Sequence, residues 1–413
     1  MKVAIAGYGL EGQSSYRYYH QKGEEVTIVT DKVSPDFAVP EGAKSIIKHN
    51  VFDDILDFDL VLRSPPLQPS HIKTTGKIWS ATNEFFAHCP APIIGVTGTK
   101  GKGTTSSFVA SILRAAGMTV HLVGNIGTPA LDVLPSIRSD DVVVFELSSF
   151  QLWDLEKSPH IAIVLPIEAD HLDIHASFDE YVQEKAQIVC YQMPEDVVVY
   201  HEDNQFSRSI GEQSPAGKKV TYPIPIPKAY KEAVRLPGAH NVENATAAIV
   251  AASFLTNLSS DVIIKGLGAF TGLPHRLKFV ADKNGVKYYD DSIATTPGSA
   301  IAAINSFSEP KILILGGHEK GGDYTELLND CSRLNVRVIA YGANRDALKE
   351  LCDHHGVSCD TVDGFMEAVV SHAAKSASPG DVVILSPAAA SFDMFKNYIE
   401  RGEKFIHAVK ELS

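Results

Sequence analysis

No stretch of the 413-residue chain approaches the roughly 20 consecutive apolar residues that a spanning helix needs, so no membrane insertion is expected. The opening MKVAIAGYGLEG has neither an apolar signal core nor a small-residue cleavage site, which predicts a cytoplasmic protein. Cations are in deficit: 37 Lys and Arg face 50 Asp and Glu, for a net charge of −13. That balance argues against a nucleic-acid partner, whose phosphates need clustered cations. The five cysteines, Cys89, Cys190, Cys331, Cys352 and Cys359, form no CxxC pair, so reduced, idle thiols are expected rather than a metal or redox centre. There is no internal repeat and no low-complexity tract.

Apolar residues make up 44% and charged residues 21%, an ordinary globular balance, and the length exceeds what one core normally serves. Short β-branched runs recur at Val3–Ala6, Val26–Val29, Leu60–Leu62, Ile93–Val96, Val120–Val123, Val142–Phe145, Ile161–Leu165 and Val197–Val199. They return at Ile312–Leu315, Val336–Ala340 and Val382–Leu385. Each is apolar on both parities, and most lead through a glycine-bearing turn into a helical pattern, which predicts parallel sheet in an α/β protein. Two further segments, Lys278–Ala281 and Val286–Tyr289, read as an antiparallel pair, and Ser214–Lys228 as a polar, proline-rich surface excursion. Three α/β domains are expected, at 1–89, 90–273 and 274–413.

Thr97-Gly98-Thr99-Lys100-Gly101-Lys102-Gly103-Thr104-Thr105 lies between the strand Ile93–Val96 and a helix predicted over Ser106–Ala116. A glycine-rich turn there aims backbone N–H groups and the helix's positive end at one point, which suits a triphosphate with Lys102 on its outer phosphates. A turn with incidental lysines is the bland alternative, and the strand–loop–helix context disfavours it. Gly103 stands where a P-loop carries its metal-holding hydroxyl. Thr104 or Thr105 must then serve, or carboxylates elsewhere must hold Mg2+.

Gly7-Tyr8-Gly9-Leu10-Glu11-Gly12 follows a strand and opens a helix, and Asp31 ends the next strand, which matches the dinucleotide fingerprint. Alone it suggests a nicotinamide-dependent dehydrogenase. A nucleotide sugar also has a diphosphate and a ribose, and the motif alone does not choose.

Further along come Asn125-Ile126-Gly127, the run ELSSFQL from Glu146 to Leu152, Asp170-His171-Leu172-Asp173 and Lys185. They are followed by His240-Asn241-Val242-Glu243-Asn244, Pro274-His275-Arg276 and Asp291-Ser292-Ile293-Ala294-Thr295-Thr296. Last come Gly316-Gly317-His318-Glu319-Lys320 and the closing SPAAASFDMFKNYIERG. In this order, over nearly the whole chain, the set resembles the Mur ligases of peptidoglycan synthesis. ELSSFQL and the closing run are its most specific parts. The ATP loop and the HN and HR pairs are shared with folylpolyglutamate synthetase.

The resemblance implies a Rossmann-like UDP-binding domain, a central P-loop-type ATPase domain and a Rossmann-like C-terminal domain. It implies ATP, Mg2+ (two ions), UDP-N-acetylmuramoyl-L-alanine and glutamate as ligands of a monomer. D-glutamate would join the substrate through an acyl phosphate, with domain closure excluding water. Under it, Gly98–Thr105, Asn241, Arg276 and Asp291 hold ATP, and Lys102, Glu146, His171, Lys185, Asn125 and Arg276 carry the chemistry. Thr104, Glu146, His171 and a carbamylated Lys185 hold metal. Gly7, Gly9, Leu10, Glu11, Gly12, Asp31, Lys32, Ser64 and Asn125 hold the UDP-sugar. Thr295, Lys320, Ser391 and Tyr398 hold glutamate, while His275 and Asn244 are supports. A helix-capping acid is the bland alternative for Glu146 and a turn aspartate for Asp291, whereas without the resemblance His171 would be a core histidine and Lys185 a solvated helix residue.

Three positions depart from the family pattern: Gly103 for serine, Ile293 for lysine, and Pro66 for a glycine beside the diphosphate, where proline offers no N–H. An L-glutamate-adding Mur ligase, a folylpolyglutamate synthetase-like ligase and the dehydrogenase are the alternatives.

Overall fold

The structure, a computed structural model, describes residues 1–32, 37–168, 177–318 and 321–412. Its strands form three sheets. The first has the order β3-β2-β1-β4-β5, from β1 (Lys2–Ala6), β2 (Glu25–Thr30), β3 (Lys44–Ile47), β4 (Leu60–Arg63) and β5 (Lys77–Ser80). The second has the order β11-β10-β9-β6-β8-β7, from β6 (Ile93–Thr97), β7 (Val120–Gly124), β8 (Val142–Glu146), β9 (Ile161–Val164), β10 (Val197–His201) and β11 (Lys218–Tyr222). The third has the order β12-β13-β17-β14-β15-β16, from β12 (Lys278–Lys283), β13 (Val286–Asp290), β14 (Lys311–Gly316), β15 (Arg337–Tyr341), β16 (Cys359–Thr361) and β17 (Val382–Leu385).

Among the described residues every pairing is parallel except β12 with β13, the pair expected to be antiparallel. Burial on both faces explains the unbroken apolar runs. Val3 and Ile5 of β1 enter one core, and Ala4 and Ala6 the opposite one. In β14, Leu313 and Leu315 face one layer, and Ile312 and Ile314 the other.

Six helices set the site in the first two sheets: α1 (Leu10–Gln21), α2 (Ala81–His88), α3 (Lys102–Ala115), α4 (Ala130–Val133), α5 (Ser149–Leu152) and α6 (Phe178–Cys190). α3 starts at Lys102 rather than Ser106, because Gly101, at φ 85°, takes the left-handed cap position. The excursion Ser214–Lys228 contains β11, a parallel edge strand on β10. Its first four residues, Lys218 to Thr221, keep some exposure, so the segment shows no apolar run.

The chain divides into two compact units, Met1–Val234 with Val242–Phe270, and Arg235–Asn241 with Thr271–Ser413. The first carries the first two sheets and the second carries the third. No helix among the described residues is long and apolar enough to cross a membrane. All five cysteines are free thiols.

Candidate active site

In the first unit the turn between β6 and α3 is shaped by glycine. A Cβ on Gly98, at φ 146°, would lie 2.5 Å from the Leu165 Cβ, and one on Gly101 would lie 2.7 Å from Asn244 Oδ1. Only glycine keeps this cradle open. Lys102 Nζ donates to the carbonyls of Gly98 (3.0 Å) and Thr99 (2.9 Å). Lys185, buried on α6, donates to the same Gly98 carbonyl at 2.9 Å and lies 4.4 Å from the Tyr181 ring centroid. Two ammonium groups on one carbonyl at a helix N-terminus gather positive charge where a phosphate would sit. Lys100 is exposed and 3.8 Å from Glu168.

Glu146 ends β8 and is buried; its Cα pairs with Val96 on one side and Gly124 on the other, so it stands beside the root of the loop. Asn125, exposed after β7, donates its N–H to the Glu146 carbonyl at 3.2 Å. Gly103 and Thr104 lie buried in the first turn of α3, and Thr105 N donates to the Gly101 carbonyl at 2.8 Å. The Thr105 hydroxyl is buried with no hydrogen-bond partner among the described residues. An oxygen donor set of Glu146 and the α3 threonines, beside a cradle that a Cβ would fill, fits a hard divalent cation such as Mg2+. His171 lies outside the described residues.

The N-terminal glycine turn is as tightly specified. A Cβ on Gly7, at φ 90°, would lie 2.3 Å from Ser64 Oγ, and one on Gly12 2.3 Å from the Gly7 carbonyl oxygen. The Ser64 hydroxyl is buried without a hydrogen-bond partner among the described residues. Gly9 caps α1, Leu10 is exposed, and Glu11 accepts a 2.7 Å bond from Gln151 Nε2 of the ELSSFQL run. Burial pushes the Glu11 carboxyl up to about 7, against the pull of Gln151 and Arg63. Asp31 is exposed at the end of β2 and accepts from Val51 N at 3.2 Å, and Lys32 is exposed beside it. Ser64 to Leu67 closes a turn through Leu67 N to the Ser64 carbonyl at 3.0 Å, with Pro65 and Pro66 at its centre.

In the second unit the loops after β13, β14 and β17 meet at the carboxyl edge of the sheet. Asp291 N donates to the Leu385 carbonyl, Gly316 N to that of Pro387, and His318 N to that of Ala390. Asp291 accepts from Ser386 Oγ (2.7 Å) and Leu277 N (3.0 Å), and burial pushes its carboxyl up to about 7. His275 Nδ1 meets the buried Asp290 carboxylate at 2.7 Å. Ile293 N donates to the His275 carbonyl at 3.1 Å. Ser391 is buried, Thr295 half-buried, and the Tyr398 carbonyl accepts from Ser292 Oγ at 2.8 Å. Arg276 is exposed, and Asn241 Nδ2 donates to the Pro237 carbonyl at 2.6 Å. Lys320 lies outside the described residues.

The model of the Mur ligase middle domain matches residues 96–228, and that of the Mur ligase glutamate ligase domain matches 275–389. A UDP-N-acetylmuramoylalanine–D-glutamate ligase of Clostridium kluyveri is 34% identical over 452 residues, covering 100% of this chain and 97% of that one. The chain belongs to the Mur ligase family. A D-glutamate ligase of the same description from Acetivibrio thermocellus, also 34% identical, covers 100% of this chain and is covered over 96% of its own. Among solved structures, the UDP-N-acetylmuramate–alanine ligase of Thermotoga maritima aligns over 99% of both chains at a TM-score of 0.61 and 18% identity. The Mycobacterium tuberculosis folylpolyglutamate synthase aligns over 75% of this chain and 92% of its own, at 0.56 and 16%. These structures show the Mur ligase fold, a mixed α/β chain with parallel sheets.

Several residues of this Mur ligase escape sequence reasoning. Arg63 is one, although a charge at the end of the buried run LVLR is a usable signal. Asp154, its partner, and the buried Arg401, which holds Ser292 and the Ala389 carbonyl, have no local signal.

Proposed function

We propose that this chain is an ATP-dependent ligase that joins D-glutamate to UDP-N-acetylmuramoyl-L-alanine, in cytoplasmic peptidoglycan precursor synthesis. The observation that carries the reading is the convergence of Lys102, Lys185 and Glu146 on the glycine cradle of the ATP loop. Full-length similarity to proteins described as D-glutamate ligases supports the substrate pair. The domains are 1–89 for the UDP-sugar, 90–273 for ATP and 274–413 for glutamate, in a monomer.

Binding falls to two glycine turns. Gly7 to Gly12, with Ser64, takes the UDP diphosphate on backbone N–H groups and the start of α1, with Asp31 and Lys32 at the ribose and base. Pro66 contributes no N–H, so the Ser64 hydroxyl and the α1 amides do that work. Gly98 to Thr105 takes the ATP phosphates, with Asn241, Arg276 and Asp291 on the nucleotide. Thr104, Glu146, His171 and a carbamylated Lys185 would hold two Mg2+ ions, which supply charge neutralisation at the transferring phosphoryl group. Thr295, Lys320, Ser391 and the Tyr398 backbone hold glutamate.

The substrate carboxylate oxygen attacks the γ-phosphorus, the bond to the β–γ bridging oxygen breaks, and ADP leaves. Lys102 turns from the Gly98 and Thr99 carbonyls to the phosphates, and Arg276 meets the charge that develops there. The amine of glutamate then attacks the carbonyl carbon of the acyl phosphate, loses a proton, and inorganic phosphate departs. Asn125 orients the sugar nucleotide near the reacting phosphate.

Phosphate release from ATP with UDP-N-acetylmuramoyl-L-alanine, comparing D-glutamate, L-glutamate and no amino acid with the product mass checked, tests the reading. Release that requires D-glutamate is expected. Release with L-glutamate alone overturns the amino acid, and none with either overturns the reaction.

A further inference from the structure

Arg63, the last residue of β4, is a fully buried cation whose partners lie on two segments far apart in sequence. Its Nε and Nη2 meet both oxygens of Asp154, at 2.8 and 2.5 Å, and Nη2 also reaches the Phe150 carbonyl at 3.0 Å. On the other side Nη1 donates to the Pro65 carbonyl at 3.1 Å, inside the turn that follows β4. The guanidinium carbon stands 5.4 Å from the Trp153 ring centroid. A planar fork with this many fixed donors is what arginine offers and lysine does not. Burying such a pair contributes little net stability, which points to orientation as its purpose.

The segment that Arg63 grips begins four residues after Glu146, and it touches the nucleotide-sugar turn a second time. Gln151 Nε2 donates to Glu11 in the first turn of α1, while Gln151 Oε1 accepts from Ser148 N. The two faces of that turn are thus tied to the stretch Ser148–Asp154, α1 directly through Gln151 and the Ser64–Leu67 turn through Arg63. Ser64 needs such support, because its hydroxyl must face Gly7 across a gap that tolerates no Cβ. Pro65 and Pro66 bring no N–H of their own with which to fix the turn.

We infer that Arg63 is a positioning residue for the nucleotide-sugar subsite: by clamping the Ser64–Leu67 turn to the Phe150–Asp154 stretch, it sets the Ser64 hydroxyl against the glycine turn. The inference rests on the nucleotide-sugar reading of that turn.

The test is calorimetric titration of UDP, with a non-hydrolysable ATP analogue as control, on the full chain and on Arg63→Ala, Arg63→Lys and Asp154→Asn. UDP affinity is expected to fall about ten- to a hundredfold in Arg63→Ala and Asp154→Asn, with analogue affinity nearly unchanged. Arg63→Lys should not restore it, and the Arg63→Ala/Asp154→Asn double variant should be little worse than either single, since both remove one clamp. Unchanged UDP binding, or equal weakening of both nucleotides, overturns the inference. Should Arg63→Ala fail to fold, Asp154→Asn still decides, being isosteric at a partly exposed site. A wild-type chain that binds no UDP overturns the inference outright. One that binds UDP but releases no phosphate defeats only the proposed reaction, and the variant comparison still decides the role of Arg63.

Discussion

Asp291 shows how much the setting of one side chain changes its chemistry. Its carboxyl stands at about 7 in the fold against an ordinary value of 3.8, because burial outweighs the bonds from Ser386 and Leu277 N. The folded chain therefore holds a proton across the window from about pH 4 to about pH 7 in which the unfolded chain has lost it. The contribution of Asp291 to stability is most favourable below that window, declines as pH rises through it, and carries its full penalty above it. Asp291→Asn abolishes this contribution, so the second unit should lose less stability between pH 4 and 7 than wild type does. The difference at pH 8 is at most a few kcal/mol, since each tenfold change in proton affinity is worth about 1.4 kcal/mol. Urea unfolding across that range measures it, and parallel curves for the two proteins refute it.

The ATP loop makes two further residue-scale claims. Gly101→Ala places a Cβ 2.7 Å from Asn244 Oδ1 at φ 85°. The left-handed backbone alone costs about 1–2 kcal/mol, and affinity for an ATP analogue should drop more than about tenfold. Glu146→Gln keeps the size and removes the charge. Phosphate release should fall about a hundred- to a thousandfold while the analogue still binds. Full activity in that variant would remove Glu146 from the metal site. The loop around Lys102 is legible because strand, loop and helix are adjacent in sequence, while Glu146, at the end of β8, is reached only through the ELSSFQL resemblance. Arg63 is not, because its partner Asp154 is 91 residues away.

Among elements, the strands flanked on both sides announce themselves, and of those at the sheet edges only β7 and β12 do. β1, β6, β8, β14 and β17 each have a strand on either side and read as apolar runs. β3, with the sequence KSII exposed throughout, has a neighbour on one side only, and its residues carry no burial signal. β5, β11 and β16 sit at edges too and escape notice for the same reason. The short helix α5 depends on local chemistry instead. Ser148 accepts from Gln151 N, and Gln151 reaches back to Ser148 N, a reciprocal cap on four residues. Helices this short have no stability of their own. Ser148→Ala should cost about 1 kcal/mol of stability by urea unfolding. Because Gln151 also holds Glu11, it should lower UDP affinity as well. A loss of stability without any effect on UDP would separate the cap from the nucleotide turn.

At the scale of the molecule, the alternation of strand and helix is enough to foresee three sheets, but not that the first two share one compact unit. The contacts that join them, Arg17 with Asp132, Arg63 with Asp154 and Gln151 with Glu11, link residues 91 to 140 positions apart, and no pattern along the chain marks such pairs. Net charge is the property that is legible in full, and it makes a claim of its own. A chain at −13 repels both of its proposed nucleotide substrates at long range, while the donors proposed to hold them are backbone amides and the half-buried Lys102. Salt screens the distant repulsion, over a Debye length of about 10 Å at 0.1 M, and affects the close contacts much less. Raising KCl from about 20 to about 200 mM at fixed Mg2+ should therefore hold or modestly raise kcat/KM for ATP and for the UDP-sugar. A tenfold fall would mean that exposed cations such as Lys32, Lys100 and Arg276, rather than the glycine turns, supply most of the binding.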